Sequence, residues 1–263
     1  MKIESCNKAA TKKFRAFLLI SVTATFLFVS NLVSAISTEE GFESGSIAGY
    51  KKETQGSGSF QIISGDAREG DKFLRITKDK GGRRHELRLA EYSKPTDLWY
   101  GFSMRLQSDM QDTDEYFILP QWHHFPDRGE EWHRPDAFIR LNSDYKIAFS
   151  NRWDSRRITP RNDGAGEEGR RSNIRLLTLN RGQWYDFVVR YKFSYKDDGL
   201  IEIYGAPAGN RLQILQRLTG PNCFNDARGQ FRVGLYGTEN DFTAYVDYDA
   251  VRIGTSLDEV KPR

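Results

Sequence analysis

The chain reads as an all-β protein, an antiparallel two-sheet sandwich of the jelly-roll kind with a concave face that can hold a long ligand. Three observations predict this. About a dozen short segments between Gly58 and Gly254 alternate apolar and polar residues, turn-forming clusters separate them, and nothing beyond the leader holds a helical period. So many antiparallel strands in one domain require two packed layers, since each sheet must bury one face against another.

The first element is a leader. Lys2, Lys8, Lys12, Lys13 and Arg15 precede the apolar run Ala16 to Val33, and Val33-Ser34-Ala35 has the small-x-small form of a cleavage site. Residues 1–35 are therefore expected to be a signal peptide, and 36–263 a single exported domain, periplasmic or secreted. Ser21, Thr23, Thr25, Ser30 and Asn31 interrupt the run, and nothing later is long and apolar enough to span a bilayer, so no stable membrane association is expected after cleavage. Five of the 39 basic and one of the 36 acidic residues leave with the leader, so the balance of the rest is 34 against 35, or −1. Cys6 leaves too, and Cys223 alone cannot form an intramolecular disulfide. A chain of this size can bury one substantial core without such a staple, and a monomer is expected.

The strands follow in order. Ser59 to Ile63, Phe73 to Thr77 and His85 to Leu89 come first, with Lys80-Gly81-Gly82 turning between the last two. Trp99 to Leu106, Tyr116 to Trp122 and Ala137 to Leu141 are next, and Asn142-Ser143-Asp144 leads into Tyr145 to Ser150. Asn180-Arg181-Gly182 precedes Trp184 to Phe193, and Asp197-Asp198-Gly199 predicts a hairpin into Leu200 to Tyr204. Leu212 to Leu218, Gln230 to Tyr236 and Thr243 to Ile253 complete the set.

Ser150 to Ser172 breaks the rhythm. It is rich in Arg, Gly, Asn and Asp (Arg152, Arg156, Arg157, Arg161, Asn162-Asp163-Gly164, Arg170, Arg171), which predicts a long loop. Twelve Lys/Arg against eight Asp/Glu lie between Arg128 and Arg181, a local excess of +4 that would make a cationic rim for a polyanion. Arg84, Arg140, Arg152 and Trp153 are candidate substrate contacts. No recognition motif for nucleic acid accompanies the charge, so DNA or RNA is not the expected polyanion; the resemblance given below implies an anionic polysaccharide instead.

The most informative strand is Gln230 to Tyr236. Phe231, Val233 and Leu235 point one way, Arg232 and Tyr236 the other, with a gap at Gly234 that would suit an anionic ligand lying across the strand. Gln121 and His123 share a face in the same manner, with Trp122 opposite, while His85 opens another strand. Gln, His, Tyr and Arg together are what β-elimination from a uronic acid needs. Donors must neutralise the carboxylate so that the neighbouring C5 proton can leave, a base must take that proton, and an acid must protonate the departing O4.

These residues resemble a known family, the polysaccharide lyases of the heparin lyase I and glucuronan lyase type. The matching pieces are Arg84-His85-Glu86-Leu87-Arg88-Leu89, Trp99-Tyr100-Gly101-Phe102-Ser103, Ile118-Leu119-Pro120-Gln121-Trp122-His123, Gly182-Gln183-Trp184-Tyr185-Asp186-Phe187-Val188-Val189, Asp198-Gly199-Leu200-Ile201-Glu202 and Gly234-Leu235-Tyr236. The resemblance implies a β-jelly-roll and cleavage of a uronic-acid polymer by β-elimination. It also implies Tyr236 as acid and possible base, His85 or His123 as base or its assistant, and Gln121 as the group that neutralises the substrate carboxylate. Arg232 stands where heparin lyase I members carry a lysine, a planar fork in place of a point charge, which leaves the choice of polymer open. A structural calcium ion away from the catalytic face is implied as well, with Glu43, Asp247 and Asp249 as candidate ligands.

Three other classes compete, of which a purely structural envelope protein is the one that the polar face of residues 230–236 speaks against. A lectin would use Trp99, Trp122, Trp132 and Trp153 to stack on sugar rings without chemistry. A jelly-roll glycoside hydrolase needs two carboxylates about 5–9 Å apart, for which Asp247 and Asp249 are the tempting pair.

Overall fold

The computed structural model describes residues 38–112, 114–160 and 167–263. The expected leader, Arg161 and Asn162-Asp163-Gly164 lie outside the described residues. Within Ala35–Arg263 the strands are β1 (Thr38–Glu40), β2 (Lys51–Gln55), β3 (Gly58–Ser64), β4 (Lys72–Lys78), β5 (Arg84–Ser93), β6 (Asp97–Leu106), β7 (Phe117–Phe125), β8 (Ala137–Leu141), β9 (Lys146–Trp153), β10 (Gly169–Thr178), β11 (Trp184–Lys192), β12 (Leu200–Pro207), β13 (Gln213–Thr219), β14 (Arg228–Gly237) and β15 (Ala244–Gly254). They form two antiparallel sheets. One has the order β13-β12-β11-β6-β15-β4-β3 with β1 added beside β15; the other runs β10-β9-β8-β7-β14-β5-β2.

The sheets pack face to face because each strand commits alternate residues to one side. Tyr100, Phe102, Phe187, Tyr191, Val246 and Tyr248 of the first sheet meet Trp122, Phe149, Phe231, Val233 and Leu235 of the second. At the centre Trp122 lies 5.2 Å from Phe231 and 5.4 Å from Tyr100, ring centre to ring centre, in tilted and edge-on contacts. Trp122 is fully buried, so cutting it to Ala would cost about 3–5 kcal/mol.

All the predicted strands form, most of them a few residues longer than the pattern indicates. The expected loop from Ser150 to Ser172 is shorter at both ends, because β9 continues to Trp153 and β10 begins at Gly169. β10 has no clean alternation; it is an edge strand with one partner and register shifts at Arg171/Ile174 and Arg175/Leu177. β2, Lys-Lys-Glu-Thr-Gln, is the opposite edge and carries no apolar residue to signal it.

Two irregularities shape the middle of the second sheet. Pro120 has no amide hydrogen to give, and the register of β7 slips between Ile118 and Gln121 against both neighbours. Opposite, β14 carries one extra residue between Arg232 and Tyr236. At Gly234 an added Cβ would come within 2.6 Å of Glu86 Cα, so only glycine allows β14 and β5 this approach.

Candidate active site

The outer face of the second sheet is polar in two layers. Register places Arg84, Glu86 and Arg88 of β5 beside Tyr236, Gly234 and Arg232 of β14, and Gln121 and His123 of β7 beside Arg232 and Gln230. The lower layer is buried. Glu86, fully inaccessible, accepts a hydrogen bond from the Gln121 amide and lies 3.3 Å from Arg84 Nε and 3.7 Å from the Arg232 guanidinium. Arg232 in turn donates to Gln230 Oε1 at 3.1 Å and stands 3.8 Å from Glu53. Burial pushes the Glu86 carboxyl above the ordinary range, against the pull of Arg84, Arg232 and Gln121. The gap expected at Gly234 is filled from below: a Cβ there would sit 3.0 Å from Glu86 Cγ.

Above this floor lies a cleft of about 570 Å³ walled by Arg84, Ile118, His123, Phe138, Arg140 and Tyr236. Its margins add Arg83, Arg134 and Arg152, so five arginines face one carboxylate, Glu167. Arg140 Nε and Arg152 Nη1 are screened from water yet find no acceptor among the described residues, a costly state that an anionic ligand would relieve. The Arg84 guanidinium lies 3.9 Å from the centre of the Tyr236 ring, pinned between that ring and Glu86.

His123 is 8% exposed and its tautomer is set by its neighbour. Its Nδ1 lies 3.0 Å from the His124 carbonyl oxygen, which can only accept, so Nδ1 carries the hydrogen and Nε2 the lone pair. Burial, then His124 and the Arg232 charge, hold His123 well below the ordinary imidazole value, so it is neutral at pH 7. His124 is fully buried beside Asp136, whose carboxylate the buried Lys94 approaches to 2.8 Å.

Several expected site residues are elsewhere. His85 alternates onto the interior side, 5.7 Å from the Phe60 ring and against the bare Gly58 backbone; burial lowers its pKa, but it does not meet Tyr236 across the cleft. Trp153 is on the opposite face from Arg152, packed over Gly169 with the Arg171 guanidinium 4.6 Å from its ring. Arg232 and Gln121 belong to the floor rather than the wall, and the Gln121 amide is already engaged by Glu86.

The three expected calcium ligands do not form a common site. Asp247 is on the outer face of the other sheet, bound in forks by Arg75 at 2.7 Å and Arg105 at 2.9 Å. Asp249 accepts the amides of Arg68, Glu69 and Ala250, and burial pushes it up to about 6. Glu43 accepts the amides of Asp71 and Lys72. Among the described residues no group of three acidic, histidine or cysteine side chains is placed to hold a metal ion. The same pairings remove Asp247 and Asp249 as an acid and base for hydrolysis, since neither reaches the cleft.

One member of the site is not singled out by the sequence. Glu86 stands between Arg84 and Arg88 on the polar face of β5, and that alternation was the signal that could have found it. Trp132, from the segment between β7 and β8, is 54% exposed at the cleft margin, 5.3 Å from the His123 ring; among the tryptophans considered for sugar stacking it alone lines the cleft.

A model of the polysaccharide lyase family matches residues 42–252. Among solved structures, the chain is similar to an endo-β-1,4-glucuronan lyase from the fungus Trichoderma reesei (TM-score 0.68, 22% identity, 83% of this chain and 96% of that one). It is also similar to a PL-14 alginate lyase from Aplysia kurodai (0.53, 14%, 75% and 87%) and to the catalytic domain of a glycoside hydrolase family 131 protein from Coprinopsis cinerea (0.51, 14%, 81% and 85%). A search of curated proteins found none that matches. At these identities the structural likenesses speak to the fold, so the lyase and hydrolase neighbours together establish the sandwich, and the family model carries the assignment.

Proposed function

From the premise that the chain belongs to the polysaccharide lyase family, we propose that it cleaves a uronic-acid polymer, glucuronan before heparin or alginate, by β-elimination outside the cell. The observation that carries this reading is the Arg84 guanidinium lying on the Tyr236 ring in a cleft lined by five arginines, with a neutral His123 farther along its wall. The fold likeness to a glucuronan lyase brings that polymer forward.

The uronate carboxylate docks on Arg84, whose charge offsets the dianion that forms as the C5 proton leaves. His123 Nε2, which carries the free lone pair, takes that proton, and the Tyr236 hydroxyl protonates the departing O4. Gln121 acts at one remove, through the floor. A second reading has Tyr236 take and return the proton alone. Register favours it: Tyr236 pairs with Ile118 and His123 with Gln230, about five residues apart along β7, and in glucuronate H5 and O4 are on one face of the ring.

The test is ultraviolet absorbance of the unsaturated uronate, followed with glucuronan, heparin, heparan sulfate, alginate and ulvan, with and without calcium. A rise on glucuronan that vanishes in Tyr236→Phe is expected. Binding without product would leave a lectin, and reducing ends without absorbance a hydrolase.

A further inference from the structure

Glu86 is a carboxylate with no path to water, set under a cleft that must itself receive a carboxylate. The donors around it, the Gln121 amide and the Arg84 and Arg232 guanidinium groups, are of the kind that would bind a uronate. Arg84 belongs to both layers, since its Nε faces Glu86 while its guanidinium carbon covers the Tyr236 ring. We propose that Glu86 is a positioning residue that fixes Arg84 over Tyr236 and the amide of Gln121, and that it takes up a proton when a uronate carboxylate docks on Arg84. This rests on the uronate reading of the cleft.

The physical reason is charge. Ionised Glu86 is held by Arg84 and Arg232, with Glu53 of β2 sharing Arg232 at 3.8 Å and Arg88 at 2.8 Å. Arg88 is further paired with Glu91, and Lys51 stands 3.5 Å from Glu53. From the other sheet, among the described residues, the Tyr248 hydroxyl bears on Glu86; it bridges the Gly234 amide and carbonyl and stays protonated. A uronate arriving on Arg84 draws that guanidinium's charge to itself and adds a like charge in a dry site. A second carboxylate brought onto Arg84 in a dry site raises the cost of keeping both ionised, and favours a proton on one of them. Glu86, already pushed upward by burial, is the one that yields, and its protonated oxygen then donates to the Gln121 carbonyl oxygen, which has no partner among the described residues. The net charge facing the substrate is thereby restored to positive before the dianion forms.

The experiment uses Tyr236→Phe to stop turnover and β-1,4-linked tetraglucuronate as the probe. Titration calorimetry at pH 7 in two buffers of different ionisation enthalpy counts the protons taken up on binding. A substantial fraction of one proton is expected with Tyr236→Phe, none with Tyr236→Phe/Glu86→Gln, and uptake retained with Tyr236→Phe/Glu86→Asp. Uptake that persists in the Glu86→Gln background, which would make His123 or His133 the carrier, overturns the proposal, as does binding of Tyr236→Phe without uptake. Absence of any binding by Tyr236→Phe would instead overturn the glucuronan reading. In the otherwise unaltered enzyme, Glu86→Gln is expected to lower kcat about tenfold while KM stays level or falls, since a negative charge has left the cleft. A purely structural role would lower the melting midpoint of Glu86→Gln and leave the proton count unchanged.

Discussion

The Arg84 guanidinium carbon lies 3.9 Å from the centre of the Tyr236 ring, a cation on the face of the phenol and beside the place where a uronate carboxylate would sit. β5 and β14 are paired so that these two residues are direct partners, and Gly234 lets the strands close.

Arg84→Lys should therefore be damaging although it keeps the charge, because a point ammonium can neither lie flat on the ring nor hold a carboxylate by two bonds. A fall in kcat/KM of about 10²-fold is expected, and about 10³-fold for Arg84→Ala, measured on glucuronan. Lysine at wild-type activity would remove Arg84 from the chemistry.

The two histidines should separate cleanly. His123→Ala is expected to lose about 10²–10⁴ in rate, and His85→Leu to retain activity, since His85 packs against Phe60 and Gly58 on the interior side. A loss of only a few-fold in His123→Ala would hand both proton transfers to Tyr236.

Because His123 is held neutral, the acid limb of kcat/KM should lie below about pH 6.5, the value of an unperturbed imidazole. The same shift bears on stability. The unfolded chain binds the proton that the folded one refuses, so stability present above pH 6.5 is lost as the pH falls toward the folded value. Thermal midpoints read between pH 7 and 5 should fall less in His123→Ala than in the wild type.

Asp226 has the opposite sign. Burial, with Asp136 and Glu130 adding to it against Lys94, pushes its carboxyl up to about 8. The folded state then holds a proton that the unfolded state releases near pH 4, so stability is full below that value and is lost as the pH rises through 8. Asp226→Asn removes the titration and keeps the shape. Its midpoint should gain on the wild type progressively from pH 5 to pH 9; a constant offset would contradict this.

Five arginines on one cleft make substrate binding a screened electrostatic event. KM on glucuronan should rise with sodium chloride while kcat changes little. Trp132→Ala should raise KM several-fold without shifting the pH profile, because the ring offers a stacking face at the margin and no proton.

Much of this was legible in the sequence. Alternation in Phe231, Val233 and Leu235 against Arg232 and Tyr236 places each on the side where it is found, and the same rule pairs Gln121 with His123 and turns His85 inward. What period 2 cannot report is depth. Arg232 and Gln121 share the cleft face yet lie in its floor, because Glu86 rises from the next strand to occupy the space that Gly234 leaves. Cross-strand neighbours depend on register, and the slip at Pro120 and the extra residue in β14 set it. The carboxylates at the chain ends misled for a related reason: Asp247 is answered by Arg75 and Arg105, far along the chain, and no spacing in the sequence announces such partners. Edge strands such as β2 and β10 were missed because they have little apolar surface to bury.

The most direct measurement of the central claim is to digest glucuronan in water enriched in oxygen-18 and weigh the products. β-Elimination takes no oxygen from water, so the expected fragments carry an unsaturated end and no label beyond slow exchange at the reducing end. Fragments heavier by one water, labelled at the new end, would mean hydrolysis and contradict it.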